Sequence, residues 1–309
     1  MRGERLVSGV FVVGSINQDF VLRLERRPEP GETVTGAELS LFPGGKGANS
    51  AVAAARLRAR VAMLGRVGDD AFGADLVRNL REAGVDTACV ESIPHAPTGS
   101  AFITVTPDGE NAIVVSPGAN RSFGPDEVEA AAEDLGAAAV LVAQLEVDAG
   151  AVERAARLAT EAGGRFLLNF APPREVPEGL ISLADPLVVN EHEARFLLGG
   201  APGEPETLAE GLLELGPRSV VVTLGADGAL LAAGGSTRRF GAPEVEAVDT
   251  TGAGDAFVGA LAARLADGAG LEDAVSYAVL AGAVAVTREG AQGSLPTPEE
   301  VEGLSSGPG

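Results

Sequence analysis

Residues 138–168, AAVLVAQLEVDAGAVERAARLATEAGGRFLL, decide the fold class. Ala138–Ala143 is a short aliphatic run bounded by polar residues, which reads as a buried strand. Ala149–Ala162 is alanine-rich and long enough for a helix. Arg165–Leu168 is a second strand. The alternation continues outward on both sides. Before it come a strand at Val10–Val13, a helix at Asn49–Arg58, a strand at Val61–Leu64 and a helix at Gly73–Ala83. After it come a strand at Pro186–Val189, helices at Glu191–Leu198 and Glu206–Leu215, and a strand at Ser219–Thr223. Helices near Gly254–Ala266 and Leu271–Thr287 close the chain. Strands alternating with helices imply an α/β fold with a mainly parallel central sheet covered on both faces. Such sheets bind ligands beyond the carboxyl ends of their strands.

Two segments break the rhythm. Phe20–Phe42 and Gly99–Ser116 show alternating strand patterns with no helix between. The second holds two runs around Asp108-Gly109, a hairpin signal. Together they predict a small sheet beside the main body, or else a pair of edge hairpins.

The composition narrows the function classes. With 23 basic and 44 acidic residues, the net charge of −21 disfavours nucleic acid and anionic membrane surfaces as partners. An anionic ligand would need local backbone donors rather than a basic field. Cys89 is the one cysteine, so an intrachain disulfide and a cysteine zinc cluster are both excluded. His95 and His192 are the two histidines, too few for a multi-histidine metal site. The N-terminal apolar run lacks a small-residue cleavage site and meets Asn17, Gln18 and Asp19 at once, so it reads as a first strand. The longest nearly apolar stretch, Ala274–Thr287, is shorter than the roughly 20 residues that span a bilayer. The expected location is the cytoplasm.

Three segments carry chemistry. Residues 43–50, PGGKGANS, set glycines before a helix, where backbone can approach a ligand and free N–H groups bind oxygen. Lys46 is followed by glycine and no glycine sits where a P-loop requires it. An ordinary glycine turn capping a helix reads equally from this segment. Residues 249–257, DTTGAGDAF, open another helix with Gly252 and Gly254, and that helix start suits a phosphate gaining charge during transfer. Asp255 in its first turn can take a proton from an attacking hydroxyl. A first-turn Asp is also a common helix stabiliser, but the dense Gly-x-Gly-Asp spacing favours function. Asn17-Gln18-Asp19, expected at the end of the first strand, can hold sugar hydroxyls by charge-assisted hydrogen bonds, or form a capped turn. Gly68-Asp69-Asp70 reads as a helix N-cap, Cys89 as a buried small apolar residue, and His192 as a surface residue at a helix start.

These pieces together resemble one family. PGGKGANSAVAAARL (43–57), followed by VAMLGRVGDDAFG (61–73), is similar to the N-terminal signature of the ribokinase-like (PfkB) carbohydrate kinases. DTTGAGDAFVGAL (249–261) is similar to their C-terminal signature. VVGSINQDF (12–20), PGETVTG (30–36), LNFAPPRE (168–175) and VTREGAQGSLP (286–296) place the likeness in the ribokinase branch. It runs nearly end to end.

The resemblance implies a three-layer main domain over 1–16, 43–98 and 117–309. It also implies a small β lid over 17–42 and 99–116 that closes on the sugar and joins a homodimer. The implied reaction moves the γ-phosphoryl group of ATP, with Mg2+, to the primary 5-hydroxyl of D-ribose. By position, Asn17, Asp19, Gly45, Lys46, Asn49 and Glu146 would line the sugar site. Asp255 would be the base, and Gly252, Ala253 and Gly254 the anion hole. Asn190 and Glu193 would act around the phosphates and magnesium, and Thr223, Gly225 and Gly228 in the nucleotide loop. Asp249, Thr251, Ala285, Arg288, Gly290 and Ser294 would form a monovalent-cation (K+) site, several through carbonyls. Val279 stands where a polar residue often meets the adenine, and Gly293 replaces a commoner proline in the cation loop. Alternatives are a kinase for 2-keto-3-deoxygluconate, fructose or a nucleoside, and a sugar-binding sensor without catalysis. One basic residue, Lys46, against Asp19 and Glu146 disfavours sugar acids. The intact Asp255 and Gly252–Gly254 disfavour the sensor.

Overall fold

A computed structural model describes residues 9–107 and 111–305, and the Asp108-Gly109 turn lies outside the described residues. The large sheet contains β1 (Val10–Val13), β4 (Val61–Gly68), β5 (Val85–Ile93), β8 (Val140–Ala143), β9 (Arg165–Asn169), β10 (Leu187–Asn190), β11 (Ser219–Thr223), β12 (Ala229–Ala233) and β13 (Ser236–Phe240). The small sheet contains β2 (Asn17–Arg23), β3 (Glu38–Gly44), β6 (Gly99–Val105) and β7 (Asn111–Ser116). The order in the nine-stranded sheet is β13-β12-β11-β10-β9-β8-β1-β4-β5. Pairing is parallel from β5 to β11 and antiparallel only at β11–β12 and β12–β13. The fold is thus the expected α/β layering with a mainly parallel sheet.

The strands read as unbroken apolar runs because both faces are covered. Val10 and Val12 pack into one core with the helices Lys46–Arg56, Ala253–Ala266 and Leu271–Ala285. Phe11 and Val13 pack into the other with Ala149–Glu161 and Pro205–Leu213. The sequence pattern missed β5, β12 and β13. The first carries Asp86, Thr87 and Glu91 at the sheet edge, the second is alanine-rich and the third is polar. β5 and β13 are the edges of the sheet, where one face stays exposed and the hydrophobic signal is diluted, whereas β12 is a buried inner strand whose sequence, ALLAA, has no β-branched residue to mark it as a strand.

The small sheet has the order β3-β2-β6-β7, with β2 and β6 parallel. Asn17-Gln18-Asp19 does not end the first strand; it opens β2, where Asn17 pairs with Gly44 and Asp19 with Phe42. The chain leaves the large sheet at Gly14–Ile16 and crosses directly into the small one. Asp70 accepts a hydrogen bond from the Gly73 N–H (2.8 Å), the expected cap. Cys89 is half-buried rather than buried, its Sγ 3.7 Å from Asp134 Oδ2, and His192 is exposed. Among the described residues no helix is long and apolar enough to cross a membrane.

Candidate active site

Two helices begin at the carboxyl edge of the large sheet, one at Lys46 and one at Ala253. Gly252 caps the second with φ 78°, a left-handed conformation that a β-carbon would strain. A side chain there would also meet the Ala291 Cα at 2.9 Å. Three residues on, Asp255 is buried and accepts a hydrogen bond from Asn49 Nδ2 (2.8 Å). The Ala253 N–H bonds the Thr250 carbonyl (3.3 Å), while the first-turn amides of Gly254 and Asp255 lie ahead of the helix's own ladder. Nothing stands within 4 Å of where a side chain on Gly254 would begin, so this helix start faces open space.

Around Asp255 the charges converge. Burial raises its carboxyl pKa, opposed by Lys46 and the Asn49 hydrogen bond, and Glu146 raises it further. Asp255 chiefly, with Glu146, Glu193 and Asp19, holds the Lys46 ammonium above its usual value against burial. One cation thus sits among four carboxylates. The Glu146 carboxylate accepts hydrogen bonds from Ser15 Oγ and from the Lys46 N–H (3.1 Å). Asp19 is pushed up to about 7, by burial first, then by Glu146 and Asp255. Its carboxylate lies against Gly44, where a β-carbon would come within 2.1 Å of Oδ2. Asn17 is buried, and its Oδ1 accepts from Asn120 Nδ2 (2.8 Å), which also bonds the Ile16 carbonyl. Gly45 caps the helix that Lys46 opens. The sugar-side candidates therefore come together, from β2, the 44–49 segment and the loop after β8.

Asp19, Phe42 and Ile103, on the inner face of the small sheet, line a cavity of about 390 Å³ together with Asp249 and Gly290. A second cavity, about 380 Å³, lies between the loop after β11 and the helices Ala253–Ala266 and Leu271–Ala285. Thr223, Gly225, Gly228, Gly254 and Val279 are in its wall. The two cavities meet at Ala247 and Thr250, beside the helix start that carries Asp255. Thr223 Oγ1 donates to the Val189 carbonyl (3.3 Å). Asn190 and Glu193 form a reciprocal cap: Asn190 Oδ1 accepts from the Glu193 N–H (2.8 Å), and Glu193 Oε2 from the Asn190 N–H (2.7 Å). Burial raises the Glu193 pKa, against the Asn190 hydrogen bond and Lys46.

The residues proposed for a monovalent cation occupy two joined loops. Asp249 accepts from the Thr251 N–H through one oxygen and from the Gly290 N–H through the other, both at 2.9 Å. Burial raises its pKa, but these hydrogen bonds together hold it below the usual carboxylate value. Ala285 and Ser294 are buried, Ser294 Oγ donates to the Ala291 carbonyl (2.8 Å), and the Arg288 side chain pairs outward with Glu300. Among the described residues there is no cluster of three or more His, Cys, Asp or Glu that would cage a metal. Glu193 fits a magnesium ion held mainly by phosphate oxygens and water, the usual pattern for that ion.

Sequence reasoning missed Ser15, Asn120 and Gln292. Ser15 fixes Glu146, Asn120 fixes Asn17, and Gln292 Nε2 donates to Asn49 Oδ1 (3.0 Å). Each acts on a residue far away in the chain, so no local spacing announces it.

Comparison with known proteins gives the same picture. Ribokinase of Schizosaccharomyces pombe is 41% identical over 308 residues, covering 95% of this chain and 96% of that protein. A deoxyribokinase of Salmonella typhimurium is 37% identical, covering 94% and 96%. The structure of Arabidopsis thaliana ribokinase complexed with ribose and ATP superposes with a TM-score of 0.88 at 30% identity, over 97% of this chain and 99% of that one. Residues 7–298 match the pfkB family carbohydrate kinase. With the signature segments placed at one site and the family matched along nearly the whole chain, this protein belongs to the pfkB family of carbohydrate kinases.

Proposed function

We propose that this kinase transfers the γ-phosphoryl group of ATP to the 5-hydroxyl of D-ribose, giving ribose 5-phosphate and ADP. The observation that carries the reading is Asp255: a buried carboxylate at an open helix start, between a carboxylate-lined cavity and a nucleotide-sized one. Asp19, Glu146 and Asn17 hold the sugar hydroxyls, and the Lys46 ammonium draws the Asp19 pKa down against burial and the neighbouring carboxylates. Asn49 occupies Asp255 Oδ2, leaving Oδ1 to accept the proton as the hydroxyl oxygen bonds to the γ-phosphorus. The bond to the β-phosphate oxygen breaks and ADP leaves. The Gly254 and Asp255 amides face the transferring group and stabilise the charge it gains. Asn190 and Glu193 would hold Mg2+ at the phosphates, and the ion when bound would supply charge neutralisation there. The nucleotide lies along Thr223, Gly225 and Gly228, and the apolar Val279 meets the base by packing alone.

The small sheet acts as a lid whose closure excludes water and limits wasteful ATP hydrolysis. We read its outer face as the homodimer contact. Leu41, Phe20, Phe102 and Val114 are in register across four strands, and Leu41 and Val114 are 50% and 68% exposed. The loops 249–251 and 285–294 take K+. A kinase drawing on ATP works where ATP is made, which supports the cytoplasm.

A second reading, 2-deoxyribose as the preferred sugar, is favoured by the deoxyribokinase relative. ADP release with ribose, 2-deoxyribose, fructose, adenosine and 2-keto-3-deoxygluconate separates the readings, with the highest kcat/KM expected for ribose. Asp255→Asn should cut kcat by roughly 10²–10⁴ while ribose still protects the protein against thermal unfolding. A variant keeping more than about a tenth of wild-type kcat removes Asp255 as the base.

A further inference from the structure

Asp255 stands at the end of a line of three side-chain amides that run through four separate elements. Asn79 Nδ2, on the helix Ala71–Glu82, donates to Gln292 Oε1 (2.7 Å). Gln292 Nε2, on the short helix Ala291–Ser294, donates to Asn49 Oδ1 (3.0 Å). Asn49 Nδ2 donates to Asp255 Oδ2 (2.8 Å). Asn49 and Gln292 are each 5% exposed, so water offers these groups little substitute.

The direction of the line follows from its end. An ionised carboxylate only accepts, so Asn49 must present N–H to Asp255 and its oxygen to Gln292. Gln292 must then present N–H to Asn49 and its oxygen to Asn79. If Gln292 could not donate, Asn49 would be free to turn, setting a carbonyl oxygen against a buried carboxylate. Lone pairs facing each other in a low-dielectric site are strongly unfavourable, and Asp255 would rotate or take up a proton. The other charges around Asp255 are Lys46, Glu146 and Asp19, while the side-chain hydrogen bonds of Gln292 go to Asn79 and Asn49.

We propose that Gln292 is a positioning residue for phosphoryl transfer: acting through Asn49, it holds Asp255 Oδ2 so that Oδ1 stays aimed at the attacking hydroxyl. This rests on Asp255 being the base. Asn79 acts likewise from a link further out, by fixing which way the Gln292 amide faces.

The test is Gln292→Glu, which keeps an acceptor for Asn79 but has no N–H for Asn49, beside Gln292→Leu, which removes both links. Asn79→Leu cuts only the outer link and is the variant that keeps the test open if the inner ones fold poorly. Expected with ribose is a fall in kcat of about 10–100-fold for the Gln292 variants, the size seen when supporting hydrogen bonds of a site are lost. The fall should be smaller for Asn79→Leu, with KM for ATP within about twofold of wild type in each case. In 13C-aspartate NMR, with Asp255→Asn identifying the resonance, the Asp255 carboxyl should titrate at higher pH in the Gln292 variants. Variants that melt at lower temperature but keep wild-type kcat and the wild-type Asp255 titration would show that the amides merely pack, overturning the proposal. The titration needs no turnover. If wild-type protein released no ADP with any pentose, the ribose reading would fall while the NMR comparison still decided the role of Gln292.

Discussion

Asp19 shows how one residue trades stability for binding. Its carboxyl is held at about 7 in the folded protein, by burial and by Glu146 and Asp255, against an ordinary value near 3.9 in the unfolded chain. Between about pH 4 and pH 7 the folded state therefore holds a proton that the unfolded state has lost, so stability falls as pH rises through that window. Above pH 7 the full cost is present, at most about 4 kcal/mol for a shift of some three units. Asp19→Asn removes the charge and with it the cost. In the ligand-free protein its melting temperature should exceed that of wild type at pH 8, exceed it by less at pH 5, and match it only below about pH 4. Ribose binding at pH 8 should weaken by about 2–4 kcal/mol, because a charge-assisted hydrogen bond in a closed site is lost, while ATP affinity stays near wild type. A melting-temperature gain as large at pH 5 as at pH 8 would show that burial of the charge is not the cause. The sequence offered Asp19 as a sugar ligand, yet its protonation depends on Glu146 and Asp255, which no spacing places beside it.

At the scale of elements, the helix start at Ala253 is held from both sides. Asp249 ties the 249–251 turn to Gly290, and Gly252 packs against Ala291. The loop proposed to take K+ thus supports the backbone proposed to face the transferring phosphate. An ion of the right size there would fix the amides of Gly254 and Asp255, while a smaller one would pull the carbonyls inward and distort them. Turnover at constant ionic strength should be higher in potassium than in sodium or lithium. Equal turnover in all three would overturn the assignment. Gly293 leaves this loop less constrained than a residue with a β-carbon would. Both helix starts were legible from their Gly-rich segments. The bond between Asp249 and Gly290 was not, because it joins backbone and side chain across 41 residues.

At the scale of the whole molecule, the small sheet has two unlike faces. The inner one, with Asp19, Phe42 and Ile103, closes the 390 Å³ cavity; the outer one leaves the Leu41–Phe20–Phe102–Val114 row facing away from it. A contiguous apolar row on a thin sheet is a common mark of an interaction surface. If the outer face is the proposed homodimer contact, replacing Leu41 and Val114 together by Asp should yield a monomer in light scattering where wild type is a dimer. Ribose affinity should fall too, since the small sheet, proposed as the lid, loses its outer support. A double variant with unchanged mass in solution would place the interface elsewhere.

The sequence by itself determined the layering of the large sheet, the two glycine-rich helix starts and the family. Each is written in a local period or a short contiguous segment, where burial on both faces or a ligand's approach dictates residue type directly. Edge strands β5 and β13 escaped because one-sided burial leaves a mixed pattern, and the buried inner strand β12 because ALLAA carries no β-branched residue. Only the tertiary structure decided that Asn17–Asp19 opens the small sheet, that Lys46 sits among four carboxylates, and that Asn79 and Gln292 reach Asp255 through Asn49. Those relations exist only between segments far apart in the chain. They arise when the carboxyl edge of the sheet gathers loops and helix starts into one buried place, where desolvation and hydrogen bonding set each group's charge and direction.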